Sequence, residues 1–471
     1  MIRLERTFRV QQPIARCFYY LSDFRRVPEW DRAVISAQKT SHGPTACGTA
    51  FDLLCRIGPL KRSVTYVVQN YEAPTRFALT GSCDLFDVAD TLTFTDCGDH
   101  TEINYQAEFV FKGAWLRMAS RLQPRMEVLA DATQAGIEGA LTTATATPTI
   151  STENQRADRH LPTALARFSR YGYTRGRRSW QPMTEHLDGV HIVLTGASNG
   201  LGLATAKALA VAGADLTLVV RDPEAPERVR ALLSQDDCRG DIRFELADLS
   251  LLSEVQNLSQ RLLATGRPID VLINNAGALF NDFARTPEGI ERSFALLLLS
   301  PWLLTRALHP LLAGHTRPAR VVNVVSGGMY AEALILDRLE MAEDGYRGTA
   351  AYARAKRGLT VVTQRWAEQW QADNIVVNAM HPGWADTPGV QNALPGFRKL
   401  TRRILRSPEE GADTIIWLAR AAEADQISGQ LFLDREPRTQ HLTARTRERA
   451  SEVSGLEALL ADRVTQALSR S

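Results

Sequence analysis

Three glycines set between a strand pattern and a helix pattern constrain this chain more than any other feature. Residues 190–194 are a short apolar run, residues 201–212 show Ala/Leu helical spacing closed by Gly213, and between them lies Thr195-Gly-Ala-Ser-Asn-Gly-Leu-Gly202. A short apolar run suits a strand buried on both faces, and one that turns through glycine directly into a helix belongs to a βα unit. The alternation continues through residues 216–220, 242–246, 271–273 and 320–325, with helical stretches between them. The pattern predicts an α/β fold built on a doubly wound parallel sheet with right-handed crossovers. Gly196, Gly200 and Gly202 permit a tight turn and a close approach of backbone to a pyrophosphate, whose charge the helix amides meet.

With 471 residues the chain exceeds one ordinary core, so two domains are expected. A net charge of +2 gives no reason to expect nucleic acid as a partner. The first residues, Met-Ile-Arg-Leu-Glu-Arg, carry charge where a signal peptide needs an apolar run, and the longest apolar stretch, 294–304, is broken by Ser300-Pro301. The expectation is a cytoplasmic protein. Five of the six cysteines fall in the first hundred residues without a Cys-x-x-Cys pair, and the histidines lack ligand spacing, so neither a disulfide frame nor a metal site is expected.

Residues 1–145 read differently. A short helix at 13–21 is followed by strand-like alternation at 48–56, 62–71, 76–83, 87–96 and 101–111, then by one long helical pattern at 115–141. A curved antiparallel sheet wrapped on one long helix makes an apolar cavity. Phe18-Tyr-Tyr-Leu-Ser-Asp23, Pro28-Glu-Trp30, Gly48-Thr49 and the final helix together resemble the polyketide-cyclase/START-like (SRPBCC) superfamily, which implies an α+β helix-grip fold for a hydrophobic ligand. Functional residues are not shared across that superfamily, so none is carried over.

Residues 146–160 read as a linker, and 161–471 as the second domain. The segment 156–178 is arginine-rich, with Leu161, Leu165 and Phe168 at helical spacing and Pro162 at a first-turn position. Such a helix can lie on an anionic membrane surface, or it can pack its apolar stripe on the next domain and solvate its arginines; the second reading is favoured. The apolar stripe Leu456, Leu459, Leu460, Val464 and Leu468 of the last helix suits packing or a subunit contact in a homo-oligomer.

The candidate chemistry sits in the second domain. Arg221 follows the second strand, where a guanidinium matches the 2′-phosphate of NADP(H) by charge and fork geometry; a carboxylate at that point would favour NAD(H), and Asp222 is adjacent. Tyr352 and Lys356 are four apart and share a helix face, so an ammonium can lower the pKa of the phenol toward acid–base use. Ser326 ends the fifth strand and can orient a substrate oxygen.

In order, Thr195–Gly202, Asp248, Asn274-Asn-Ala-Gly277, Ser326, Tyr352/Lys356 and Pro382-Gly383 with Thr387 form a set that resembles the short-chain dehydrogenase/reductase superfamily over about residues 186–435. The resemblance implies a Rossmann fold and Ser326, Tyr352 and Lys356 as catalytic residues. It implies cofactor contacts at Gly196, Ser198, Asn199, Gly200, Leu201, Gly202, Arg221, Asp248, Leu249, Asn275, Ala276, Gly277, Tyr352, Lys356, Pro382, Gly383 and Thr387. Ser326-Gly-Gly-Met329, His381-Pro-Gly-Trp-Ala-Asp-Thr-Pro-Gly-Val390 and Asp434-Arg435 look like the branch of family member twelve. One departure stands out. Leu297 occupies the place where the family has an asparagine whose main-chain carbonyl holds a water near the lysine. Leucine keeps the carbonyl, so activity is expected to survive at a slower rate.

The expected function is NADP(H)-dependent interconversion of a hydrophobic, lipid-like alcohol and its carbonyl, with substrate captured by the first domain. The apolar residues of the insert 327–350 (Met329, Tyr330, Leu334, Leu336) and of the loop 384–406 are expected on the substrate side. The alternative is a lipid- or quinone-binding protein whose Rossmann domain senses nucleotide with little catalysis.

Overall fold

The computed structural model describes all residues except 13, 42–44, 58–59, 144–149, 151, 159, 161–164, 179, 181–182, 184, 235–237, 316 and 470–471. Leu161 and Pro162 lie outside the described residues. The chain divides into two compact units, Met1–Thr147 and Pro148–Ser471.

In the first unit, strands alternate inward and outward residues, and that alternation builds one antiparallel sheet. Its strands are β1 (Ile2–Val10), β2 (Val34–Lys39), β3 (Ala50–Ile57), β4 (Leu60–Glu72), β5 (Arg76–Ser82), β6 (Phe86–Asp96) and β7 (Thr101–Phe111), in the order β1-β7-β6-β5-β4-β3-β2. The closing pair β1–β7 joins the two ends of the sequence pattern, a non-local pairing that local alternation does not encode. The helix Ile14–Ser22 drives Phe18 into edge-on contact with Tyr71 and Phe94 at 5.2 and 5.4 Å. The long helical pattern resolves into a 3₁₀ segment, Gly113–Met118, and the helix Ala119–Thr143, which turns Ala130, Ile137 and Leu141 into the core. Two carboxylates clamp the helix to β1: Arg6 reaches Glu127 and Asp131, each at 2.8 Å. Gly136 permits the approach, because a Cβ there would lie 2.0 Å from the Trp30 carbonyl oxygen.

The second unit holds β8 (His191–Thr195), β9 (Asp215–Val220), β10 (Ile242–Leu246), β11 (Val271–Asn274), β12 (Ala319–Val324), β13 (Ile375–Met380), β14 (Leu431–Leu433) and β15 (Glu436–Arg438). They lie in the order β10-β9-β8-β11-β12-β13-β14-β15, parallel up to β14 with β15 antiparallel. The chain leaves β8 toward β9 on one side and returns to β11 on the other, so the strand order reverses between β8 and β11. A crevice opens at such a switch point beyond the carboxyl ends of the strands.

Segment 146–160 behaves otherwise than a solvated linker would. Thr152–Asp158 is helical; Asp158 is buried in an ion pair with Arg438, and Asn154 donates to Glu436 at 2.6 Å. Two buried polar side chains tie this helix to the sheet edge, which the polar composition of the segment concealed. Phe168 is 3% exposed and meets His381 edge-on at 4.6 Å, while Arg406 holds the Arg167 and Ser169 carbonyls at 2.7 and 3.2 Å. Leu165 and Phe168 of the apolar stripe are therefore packed, as the favoured reading has it, and Arg170, Arg175 and Arg177 are exposed. The last helix, Ala450–Leu468, likewise buries Leu456, Leu460 and Val464 in its own unit. Among the described residues no helix is long and apolar enough to cross a membrane.

Candidate active site

A cleft of about 530 Å³ opens at the switch point. Its floor begins with the turn after β8. Gly196 and Gly200 have φ of 69° and 54°, in the left-handed region that favours glycine. Gly202 is required for a different reason: a Cβ there would stand 2.0 Å from the Gly196 carbonyl oxygen. The helix Gly200–Val211 starts at Asn199 with no side-chain cap, so its first-turn amides face the cleft as an anion site. Thr195 fixes the turn from below. Its hydroxyl accepts from the Asn275 and Ala276 amides, both at 3.0 Å, and donates to the Ile273 carbonyl. Asn275 returns the tie through its side-chain amide, 2.9 Å from the Thr195 carbonyl.

Ser198, Asn199, Leu201, Arg221, Asp248, Leu249, Asn275, Ala276, Gly277, Ser326, Tyr352, Lys356, Pro382 and Thr387 all line this cleft with the three glycines. Gly383 does not. It packs the other way at φ 70°, where a Cβ would meet the Phe168 carbonyl oxygen at 2.5 Å and the Arg406 Nε at 2.6 Å. Asp222, which tempered the reading of Arg221, is engaged elsewhere: it accepts from Arg228 at 3.1 Å and from the Glu224 amide at 3.0 Å. Arg221 is exposed at the rim.

Tyr352 and Lys356 lie on the helix Gly348–Gln369, which is held to the sheet by a buried amide chain. Asn274 donates to Thr305 and Asn323, and Asn323 donates to Thr363 on that helix, at 2.8 to 2.9 Å. Lys356 is 3% exposed; its ammonium donates to the Val324 carbonyl at 2.7 Å and lies 6.0 Å from the Tyr352 ring centroid. Burial lowers its pKa to about 7. The Tyr352 phenol is pushed up by burial and pulled back by a hydrogen bond with the Ser326 hydroxyl. By charge alone an ammonium one turn away lowers the phenol. The structure alters that balance, because desolvation acts on both groups and removes much of the lysine's charge at neutral pH.

Leu297 sits in a π-turn, Ala295–Leu299, fully buried. Its Cδ2 and the Lys356 Nζ lie 3.1 and 3.6 Å from the point where a Gly277 Cβ would stand, so the leucine is part of the apolar wall around the ammonium. The insert residues Met329, Tyr330 and Leu334 are buried core and Leu336 packs against that core, so none of the four is cleft wall; the Tyr330 hydroxyl donates to the Thr439 carbonyl at 2.7 Å. The cleft takes its apolar side instead from Leu279, Phe280, Leu296, Val390, Ala393 and Leu394. Val390, Ala393 and Leu394 belong to the loop 384–406 that the sequence places on this side, whereas nothing in the sequence marked Leu279, Phe280 and Leu296 as cleft wall.

A strand-switch cleft with a glycine floor, an uncapped helix start and a Ser/Tyr/Lys group defines a dinucleotide-dependent class of fold, and the comparisons with known proteins agree with it. Residues 190–396 match the family model described as short chain dehydrogenase, and residues 1–145 match that of Polyketide cyclase / dehydrase and lipid transport. Dehydrogenase/reductase SDR family member 12 of Homo sapiens is 37% identical over 289 residues, covering 60% of this chain and 89% of the relative. Retinol dehydrogenase 14 of Mus musculus is 31% identical over 287 residues (58% and 85%), and Polyprenol dehydrogenase of Danio rerio is 32% identical over 248 (50% and 76%). The chain belongs to the short-chain dehydrogenase/reductase family.

Proposed function

We propose that the second unit is an NADP(H)-dependent oxidoreductase that interconverts an apolar, lipid-like alcohol and its carbonyl compound. The observation that carries the reading is the convergence of Ser326, Tyr352 and Lys356 on the same cleft as the glycine floor and Arg221. The glycine positions fit a dinucleotide: side chains at 196 or 202 would collide with backbone, and the helix start beside them offers amides to a pyrophosphate. Arg221 would meet a 2′-phosphate, and Asp248 and Asn275–Gly277 would line the remainder. When bound, the dinucleotide supplies or accepts the hydride. Relatives named for retinol and polyprenol, with the apolar wall at Leu279, Phe280 and Leu296, support a hydrophobic substrate.

The residues of the chain handle the proton. A phenol raised by burial is protonated at neutral pH, so Tyr352 is set to donate to a carbonyl oxygen; Ser326, hydrogen-bonded to it, holds the same oxygen. This favours reduction as the neutral-pH direction. Lys356, tied to the Val324 carbonyl, sets the field at the phenol through its own protonation.

Tyr352→Phe tests the mechanism. Turnover of retinal with NADPH, followed by NADPH absorbance, should fall about a thousandfold while NADPH affinity stays within twofold. Full turnover in that variant would end the assignment.

A further inference from the structure

Ser326 stands on a turn that a distant segment props. It follows β12, and its hydroxyl accepts from the Gly328 amide at 3.2 Å, so the turn sets the direction of that hydroxyl. Gly327, between the two, leaves no room for a side chain: a Cβ there would stand 2.8, 3.2 and 3.5 Å from three ring carbons of Phe168. The φ of Gly327 lies outside the left-handed region, so space rather than backbone conformation calls for glycine.

Phe168 has nowhere to retreat. Its ring is boxed by His381 edge-on at 4.6 Å, Trp384 edge-on at 6.0 Å and Tyr330 stacked at 6.0 Å. The backbone around it is pinned as well. The Phe168 carbonyl accepts from the Trp384 amide at 2.7 Å, the Arg170 amide donates to the Ile404 carbonyl at 2.8 Å, and Arg406 holds the carbonyls on either side. Arg406 is itself fixed by Asp434 at 2.6 and 2.9 Å. The loop that supplies Trp384 and Arg406 also supplies Val390, Ala393 and Leu394 to the cleft wall. One ring thus ties the serine turn to the substrate-side loop.

We propose that Phe168 is a positioning residue: by filling the space at Gly327 it holds the turn from which Ser326 presents its hydroxyl to the substrate oxygen. The reacting group then depends on a segment outside residues 190–396, the stretch that matches the family. In what it says of the substrate oxygen the inference rests on the oxidoreductase reading; the wedge itself does not.

Compensation between two variants tests it. Gly327→Ala adds a methyl group where the ring cannot yield, so the turn moves instead. Turnover of retinal with NADPH should fall about tenfold in kcat, with KM for retinal and NADPH affinity within about twofold. Phe168→Leu removes Cε2 and Cζ, two of the three atoms that the methyl meets. Alone it loosens the turn and should lower kcat about threefold, yet in the Gly327→Ala background it should return kcat to within about threefold of the parent. Hydrogen–deuterium exchange of residues 326–332 reads the turn without turnover: protection should fall in Gly327→Ala and return in the double variant. Losses in kcat that add, or a Gly327→Ala enzyme as fast as the parent, would overturn the proposal. If Gly327→Ala does not fold, the double variant must fold and turn over for the proposal to stand. A parent that reduces no carbonyl ends the oxidoreductase reading, and exchange alone then decides the wedge, unaltered protection in Gly327→Ala refuting it.

Discussion

Each unit buries a titratable side chain that desolvation shifts far from its usual range, and the two shifts run in opposite senses. In the antiparallel unit the group is an acid, Asp90, served by two tyrosine hydroxyls; in the parallel unit it is a base, Lys356, served by the Val324 carbonyl. Burial drives both toward neutrality, the acid up and the base down, and both arrive at about 7. Polar residues at such positions oppose packing. Each core therefore gives up stability at that buried group.

The comparison can be broken by pH. Lys356 is depressed from 10.5 to about 7, so its contribution to stability is present above 10.5 and lost as the pH falls through 7. Lys356→Met should be more stable than the parent at pH 7, by up to about 4 kcal/mol, with the difference vanishing toward pH 10.5 in urea denaturation. Asp90 is raised from 3.8 to about 7, so its contribution is present below 3.8 and lost as the pH rises through 7. Asp90→Asn should therefore gain on the parent by roughly 4 kcal/mol as the pH rises from 4 to 8, any lost hydrogen bond adding a constant that cancels in that difference. If both variants respond to pH in the same direction, the mirror relation fails.

Smaller effects sharpen the picture of the cleft. Removing the guanidinium in Arg221→Ala should weaken NADPH about thirtyfold, some 2 kcal/mol, and leave NADH nearly unchanged; equal losses in fluorescence titrations would mean that Arg221 reads no phosphate. Leu297→Asn puts an amide into the apolar wall beside Lys356. It should raise the lysine's pKa by about one unit, or about 1.4 kcal/mol, seen as a shift in the pH profile of carbonyl reduction. An unchanged profile with faster turnover would show instead that the leucine limits the reaction by shape.

Much of the second unit was legible because its signals are local. A glycine bend after an apolar run, a Tyr and a Lys one turn apart, and strand ends carrying Asp248, Asn275 and Ser326 each imply their own surroundings, and the cleft gathers them. Met329, Tyr330 and Leu334 were misplaced on the substrate side because hydrophobicity reports burial without saying where. Gly383 fits the order of the motif but serves Phe168 and Arg406, a contact between segments far apart in sequence. The helix Thr152–Asp158 was hidden for the same reason, since Arg438, which explains its buried Asp158, lies at the far sheet edge.

The sequence by itself determined the two architectures, through period-two alternation before residue 145 and βα alternation after 190, and it determined the order in which the cleft residues occur. Tertiary structure alone decided the charge of those residues. Whether Lys356 is an ammonium, Tyr352 a phenol and Asp90 an acid near pH 7 depends on how many distant side chains exclude water from them, and desolvation is a property of the closed core rather than of any stretch of chain.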